Sequence, residues 1–233
     1  MKRLTNSNIE LTLIFIPIIP DFIEQALKTL YENTPNINFR VIVVDQTKDG
    51  VYGKVAKYAD LIIRSPNPNR TNLGFSKANN EGMLHAIHWG SKYIAACNDD
   101  IEFLDPRWWQ GIKDQFDAFP EMMAVCPASP IEPGWGYGLG GDGKWVTGNS
   151  CPDWGVQIEE NIYPKAPDGS AITLEQARTP KGYDMLLAHR QGHIEGFAGW
   201  FVVFKRETLE TVGLYDERFG PGNGEDYNYV HRI

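Results

Sequence analysis

The chain has 233 residues, 42% of them hydrophobic and 22% charged, which is ordinary globular usage. That excludes wholesale disorder and a collagen-like fibre, and it leaves room for one sizeable domain rather than two. Lys and Arg number 22 against 30 Asp and Glu, a net charge of −8, which counts against broad adhesion to nucleic acid while leaving a small local anion pocket open.

Cys97, Cys126 and Cys151 lie far apart in an odd count, so neither a disulfide framework nor a C-x-x-C zinc site is expected, and a reducing cytoplasm is. The longest apolar run, Leu11 to Ile19, is too short to span a bilayer and is broken by Pro17. Glu10 and the polar stretch Thr5 to Asn8 spoil a signal-peptide reading, so a soluble chain without its own address tag is expected.

In chain order, Leu11 to Ile19 reads as a strand buried on both faces, followed by a helix capped by Asp21 and running through Tyr31. Phe39 to Asp45 is a second strand, closed by the turn at Lys48-Asp49-Gly50. Leu61 to Arg64 and Tyr93 to Cys97 are the third and fourth, with a helix from about Ser76 to Trp89 between them. Pro106 suits the first turn of a helix through Trp108, Trp109, Ile112 and Phe116, and Met122 to Cys126 is a fifth strand.

Alternating strands and helices of this kind predict a mostly parallel sheet covered on both faces. From Pro127 to about His193 the regularity stops. Eight glycines share Gly134 to Gly155 with Trp135, Trp145 and Trp154, and only Leu174 to Arg178 and Tyr183 to His189 look helical. A stretch this long without periodicity is usually functional. Order returns with a strand at Trp200 to Lys205 and a short helix from Arg206 to Val212.

Ligands of open parallel sheets collect beyond the carboxyl ends of the strands. Asp45 follows the second strand and Asn98-Asp99-Asp100 follows the fourth, so both belong to one rim. Acids crowded there repel one another, a cost that a divalent cation and ligand hydroxyls offset; a solvated acidic loop is the plain alternative. The loop from Arg70 through Asn72 and Gly74 to Lys77 opens a helix whose free N–H groups suit a phosphate. Asn79 and Asn80 inside that helix are poor helix formers and ask for another explanation. Neither G-x-G-x-x-G nor G-x-x-x-x-G-K-[ST] occurs, which removes the two commonest phosphate loops. Gly196 to Gly199, Gly213-Leu214-Tyr215-Asp216-Glu217 and Gly224-Glu225-Asp226 form the last cluster, and its acid pair is a candidate general base.

Val43-Val44-Asp45 with Asp49-Gly50, Asn72-x-Gly74 through Asn80-x-Gly82, Asn98-Asp99-Asp100, and Gly213-x-x-Asp216-Glu217-x-Phe219 leading to Glu225-Asp226 and Arg232 closely resemble family 2 glycosyltransferases of the GT-A fold. The resemblance covers nearly the whole chain in the family's order. It implies a Rossmann-like, mostly parallel sheet with helices on both faces, in a single domain over 1–233. Residues 1–126 would be the nucleotide-sugar-binding half and 127–233 the acceptor side, with a Gly- and Trp-rich flap over 127–193. The implied reaction is inverting transfer of a sugar from a UDP-, GDP- or dTDP-sugar to a hydroxyl of a glycan or other acceptor, assisted by Mn²⁺ or Mg²⁺.

Carried over residue by residue, Asp45 would contact the nucleotide base, and Asn72, Gly74, Lys77 and Asn80 would line the donor site with Asn98 and Asp99. Asp100, with Asn98, would hold the metal. Asp226 would be the base, with Glu225 beside it. Trp135, Trp154, His193 and Trp200 are the expected acceptor contacts, since flat aromatic faces stack on sugar rings. Asn98 stands at the first position of the family's D-x-D, Pro17 to Pro20 replace the usual continuation of the first strand, and the chain ends at Ile233, where many relatives continue with further helices. Two other readings are a sugar nucleotidylyltransferase, against which the prolines after the first strand count, and a non-catalytic nucleotide- or carbohydrate-binding module.

Overall fold

Leu11–Phe15 (β1) is buried at all five positions, and its neighbours on both sides are equally apolar, so the strand can only sit inside a sheet covered on both faces. The computed structural model describes residues 8–34, 36–64, 72–126, 199–220, 222 and 224–233. Arg70 and the segment 127–198, with Trp135, Tyr137, Trp145, Trp154, His189, His193 and the helical readings at 174–178 and 183–189, lie outside the described residues.

Chain order gives Ile23–Glu32 (α1), Phe39–Asp45 (β2), Tyr52–Val55 (α2), Leu61–Arg64 (β3), Phe75–His88 (α3), Tyr93–Cys97 (β4), Trp108–Ala118 (α4), Ala124–Val125 (β5), Phe201–Lys205 (β6), Arg206–Val212 (α5) and Glu225–Val230 (α6). A 3₁₀ turn, Glu217–Phe219, precedes α6. The sheet order is β3-β2-β1-β4-β6-β5. β1 runs parallel to β2 and β4, and β2 parallel to β3, whereas β6 is antiparallel to β4 and β5. The expected α/β architecture with a mostly parallel sheet is the one observed.

Helix α1 buries Ile23, Ala26, Leu27 and Leu30, spaced at i, i+3, i+4 and i+7, against the sheet. Each of the Ile and Leu side chains contributes roughly 1.5–3 kcal/mol through removal from water. The core continues through Trp108, Trp109, Ile112 and Phe116 of α4. The two indoles find hydrogen-bond acceptors, Trp108 Nε1 on Thr34 Oγ1 at 3.0 Å and Trp109 Nε1 on Glu10 Oε1 at 3.0 Å. Buried Thr12 in mid-sheet shares a 2.6 Å hydrogen bond with the hydroxyl of Ser91.

Several local expectations differ from the structure. β1 stops at Phe15 because Pro17 cannot donate to a ladder; Ile18 and Ile19 are 51% and 54% exposed. Asp21 makes no cap, for α1 begins after Phe22 without a side-chain cap, and Asp21 instead pairs with Lys54 Nζ at 3.3 Å. The fifth strand shortens to two residues, and α2 was not anticipated at all.

Helix α3 lies close on the sheet at Gly82, where a Cβ would land on the Ile14 side chain of β1. Gly82→Ala should therefore cost about 1–3 kcal/mol of stability through overpacking, read as a lower urea midpoint with an unchanged slope.

Candidate active site

Because β1 to β4 are mutually parallel, Phe15, Asp45, Arg64 and Cys97 end at one edge of the sheet, with Asp45 directly opposite Arg64 and Phe15 opposite Cys97. The chain after each strand builds the rim.

Asp45 is 1% exposed. Its Oδ1 accepts from Thr47 N (3.0 Å) and Thr47 Oγ1 (2.7 Å), and its Oδ2 from Val51 N (3.1 Å) and Arg64 Nη1 (3.4 Å). Four donors fill a carboxylate's usual capacity. The Val51 contact holds the start of α2, and Arg64 also donates to the carbonyls of Thr47 and Lys48. Asp45 thus shapes the turn over 45–51.

Gln46, which sequence reasoning missed, joins three rim loops. Its N–H donates to Pro17 O at 3.0 Å, Nε2 to Ile16 O at 3.4 Å, and Oε1 accepts from Leu73 N at 2.7 Å. The residue is 2% exposed. Next to it, exposed Asn72 accepts from Gly74 N at 2.8 Å. Gly74 has φ 84°, a conformation that admits the sharp entry into α3, and no side chain caps that helix. The first-turn N–H groups therefore have no side-chain cap competing for them, and Lys77 in that turn is exposed.

Asn80 is engaged within the protein. Its Oδ1 accepts from Tyr215 N at 3.0 Å, while Nδ2 donates to Tyr215 O at 2.9 Å and Glu217 Oε1 at 3.1 Å. The amide is 4% exposed and pins the segment leading to α6 onto α3. Asn79 donates back to Phe75 O at 3.1 Å. Asp216 is held by Arg218, whose backbone and guanidinium donate to it and keep its carboxyl at about 2, below the usual range. Tyr229 OH donates to Gly213 O at 2.7 Å, and Arg232 lies over the Tyr229 ring and donates to Leu214 O.

The Asn98-Asp99-Asp100 segment and the Glu225-Asp226 pair meet through one turn. Asn98 N donates to Trp200 O at 2.7 Å, and Gly199 N donates to Asp226 Oδ2 at 3.2 Å. Asp226 and Glu225 are 5% and 6% exposed at the start of α6. Half-buried Trp200 lies 6.1 Å from the Phe201 ring. Asn98 and Asp99 are half-buried and Asp100 is exposed.

Asp99 is electrostatically uncomfortable: burial, and secondarily the neighbouring Asp100 charge, push its carboxyl up to about 6. Its Oδ2 is sealed from solvent with no hydrogen-bond partner among the described residues. Such an oxygen would accept from a ligand hydroxyl, and the Asn98 amide oxygen and Asp100 carboxylate on either side of it are hard oxygen donors of the kind Mg²⁺ and Mn²⁺ take. No cluster of three or more His, Cys, Asp and Glu occurs among the described residues, so the set is small.

Residues 18–142 match the model of the glycosyl transferase family 2, and the chain belongs to that family. No curated protein matches the chain by sequence. Among solved structures it is similar to the mannosyltransferase PcManGT from Pyrobaculum calidifontis in complex with GDP-Man and Mn²⁺, at 17% identity and TM-score 0.55, covering 97% of this chain and 51% of that one. S. aureus TarS 1–349 in complex with UDP aligns at 14% identity and TM-score 0.53, covering 95% of this chain and 54% of that one. GalNAc-T7 with UDP, GalNAc and Mn²⁺ aligns at 14% identity and TM-score 0.58, covering 97% of this chain and 40% of that one. The chain spans about half of these structures or less. Among the described residues no helix is long and apolar enough to cross a membrane.

A carboxyl whose pKa is raised by folding adds stability that is full below its unfolded value and lost as pH rises through the folded one. Asp99→Asn should therefore match the parent protein below about pH 4 and exceed it at about pH 7 by on the order of 1 kcal/mol, allowing for solvent screening at this half-buried group. Urea midpoints at the two pH values measure this.

Proposed function

We propose that the chain is an inverting glycosyltransferase that moves a sugar from a nucleoside-diphosphate sugar to an acceptor hydroxyl, acting in the cytosol. The observation that carries this is the Gly199-Trp200 turn, which holds Asp226 through one hydrogen bond and Asn98 through another. A buried carboxylate and an oxygen-rich acidic motif thereby share the edge where a parallel sheet collects its ligands. Family membership and the nucleotide-bearing structures of similar fold support the donor class.

In this reading the first turn of α3, with Asn72, Gly74 and Lys77, receives the diphosphate. Asp45 serves the base through the turn it shapes, and Asn80 serves the donor site by fixing α3 to the Tyr215 segment. Asp99 faces the ribose or sugar, and Asn98 and Asp100 hold the divalent cation, which when bound neutralises the diphosphate leaving group. Asp226 takes the proton from the attacking hydroxyl on the opposite face of the sugar, with Glu225 beside it. Trp200 contacts the acceptor; Trp135, Trp154 and His193, proposed for the same role within a flap over 127–193, lie outside the described residues.

Asp226→Asn should lower turnover by about 10²–10⁴ while leaving donor binding nearly unchanged. Release of nucleoside diphosphate from UDP-, GDP- and dTDP-sugars measures it, and near-normal turnover would remove Asp226 from the base role. A thermal-shift screen of the same nucleoside diphosphates with and without Mn²⁺ should show a metal-dependent rise in Tm for one base, since ligands that bind only the folded state stabilise it. No rise with any of them contradicts the donor-site assignment.

A further inference from the structure

Gly199 lies where three parts of the site converge. Its N–H donates to Asp226 Oδ2 at 3.2 Å, and the next residue, Trp200, accepts from Asn98 N at 2.7 Å. The third contact is defined by a missing side chain. A Cβ on Gly199 would stand 2.8 Å from Phe75 Cζ and 3.4 Å from both Cε1 and Cε2, so the Phe75 ring occupies the space a side chain would need. The backbone at Gly199 lies outside the left-handed region, so conformation does not demand glycine there. The ring does.

Phe75 is the first residue of α3, directly after Gly74, in the segment assigned to the diphosphate. Its ring sits edge-on to Tyr215, with centroids 5.4 Å apart at 74°. Tyr215 is in turn held through its backbone by Asn80 of the same helix. Phe75 is thus braced by packing on one side and meets the Gly199 peptide on the other, so the ring sets how closely that peptide approaches α3. The Gly199 N–H then sets where the Asp226 carboxylate sits.

We propose that Gly199 is a positioning residue that couples the N-terminus of α3 to the Asp226 carboxylate through its contact with Phe75. This rests on the reading of Asp226 as the general base. A methyl at Gly199 must displace either the ring or the peptide. The ring is braced, so the peptide and its N–H move away from the carboxylate. Misplacement of a reacting group by about 1 Å can cost on the order of 10² in rate without altering ground-state binding.

The test compares the parent chain with Gly199→Ala, Phe75→Leu, the double variant and Asp226→Asn. The probe is nucleoside diphosphate release from whichever UDP- or GDP-sugar the parent turns over, beside the thermal shift produced by UDP or GDP with Mn²⁺. Gly199→Ala should lower kcat by about ten- to a hundredfold while donor KM and the nucleotide-induced thermal shift stay near parental values. The double variant, in which the shorter leucine clears the added methyl, should regain most of the lost kcat. A Gly199→Ala chain with parental kcat overturns the proposal, as does a loss that falls on KM or that Phe75→Leu leaves unrestored, provided Asp226→Asn is inactive. Should Gly199→Ala not fold, the double variant decides alone: parental-like kcat supports the coupling, and a folded chain with kcat depressed beyond that of Phe75→Leu refutes it. Near-parental turnover in Asp226→Asn overturns the base assignment itself, and the coupling with it.

Discussion

The antiparallel pairing of β6 with β4 is the constraint on which the site depends. Cys97 lies opposite Phe201, so the start of β6 meets the end of β4. A parallel β6 would have placed its entry at the other edge, away from Asn98-Asp99-Asp100. The reversal lets Trp200 accept from Asn98 N and brings Gly199 within reach of Asp226, joining segments about a hundred residues apart in the chain. It also places β6 between β4 and β5, so the C-terminal segment is part of the same core as the N-terminal strands rather than an appendage to it. Phe204, Tyr215 and Tyr229 carry that core outward, with ring centroids 5.1–6.1 Å apart, and set α6 against the sheet.

Around this framework the buried polar groups divide into two kinds. Asp45, Gln46 and Asn80 are nearly inaccessible, and each is hydrogen-bonded by loop backbone, with the Thr47 and Arg64 side chains added at Asp45 and that of Glu217 at Asn80. A buried polar group costs stability only while it lacks a partner, so these three residues fix loop geometry at little net cost. Asp99 is the opposite case, a carboxylate pushed toward its protonated form with one oxygen sealed and unmatched among the described residues. A carboxyl perturbed in this way at a strand end is a candidate for a binding group.

The parts of the fold that were legible in the sequence are those decided by local pattern. β2 and β4 are apolar runs bounded by polar turns, and both were placed at their observed limits; α3 was found to within a residue at each end. The first strand was overextended because Ile18 and Ile19 look like core residues, yet Pro17 ends the ladder and turns them outward. Asp21 has the chemistry of a cap, but Lys54 engages it instead. The site was legible as a set of residue types at strand ends and illegible as a set of contacts. Gln46 finds its partners 27 to 30 positions away and Asn80 finds Tyr215 at a separation of 135, and no periodicity encodes such pairings. Asn79 and Asn80 were legible only as helix residues needing an explanation.

The acid excess also takes a more definite form. Crowded carboxylates at one rim were expected to repel and so to call for a cation. Asp45, however, faces Arg64 across the β2–β3 pair and is matched internally, and Asp216 is matched by Arg218. Among the acids at the carboxyl ends of β2 and β4, repulsion therefore narrows to Asp99 and Asp100, where it is one of the causes raising the Asp99 carboxyl. The cation proposed for this rim would therefore be met by that one motif, whose first position is the neutral oxygen donor Asn98. In the proposed metal site Asn98 and Asp100 bring a single charge, less than two carboxylates would, so a bound diphosphate would have to supply most of the remaining oxygens. Under that proposal the site's affinity for the cation and for the nucleotide would each depend on the presence of the other.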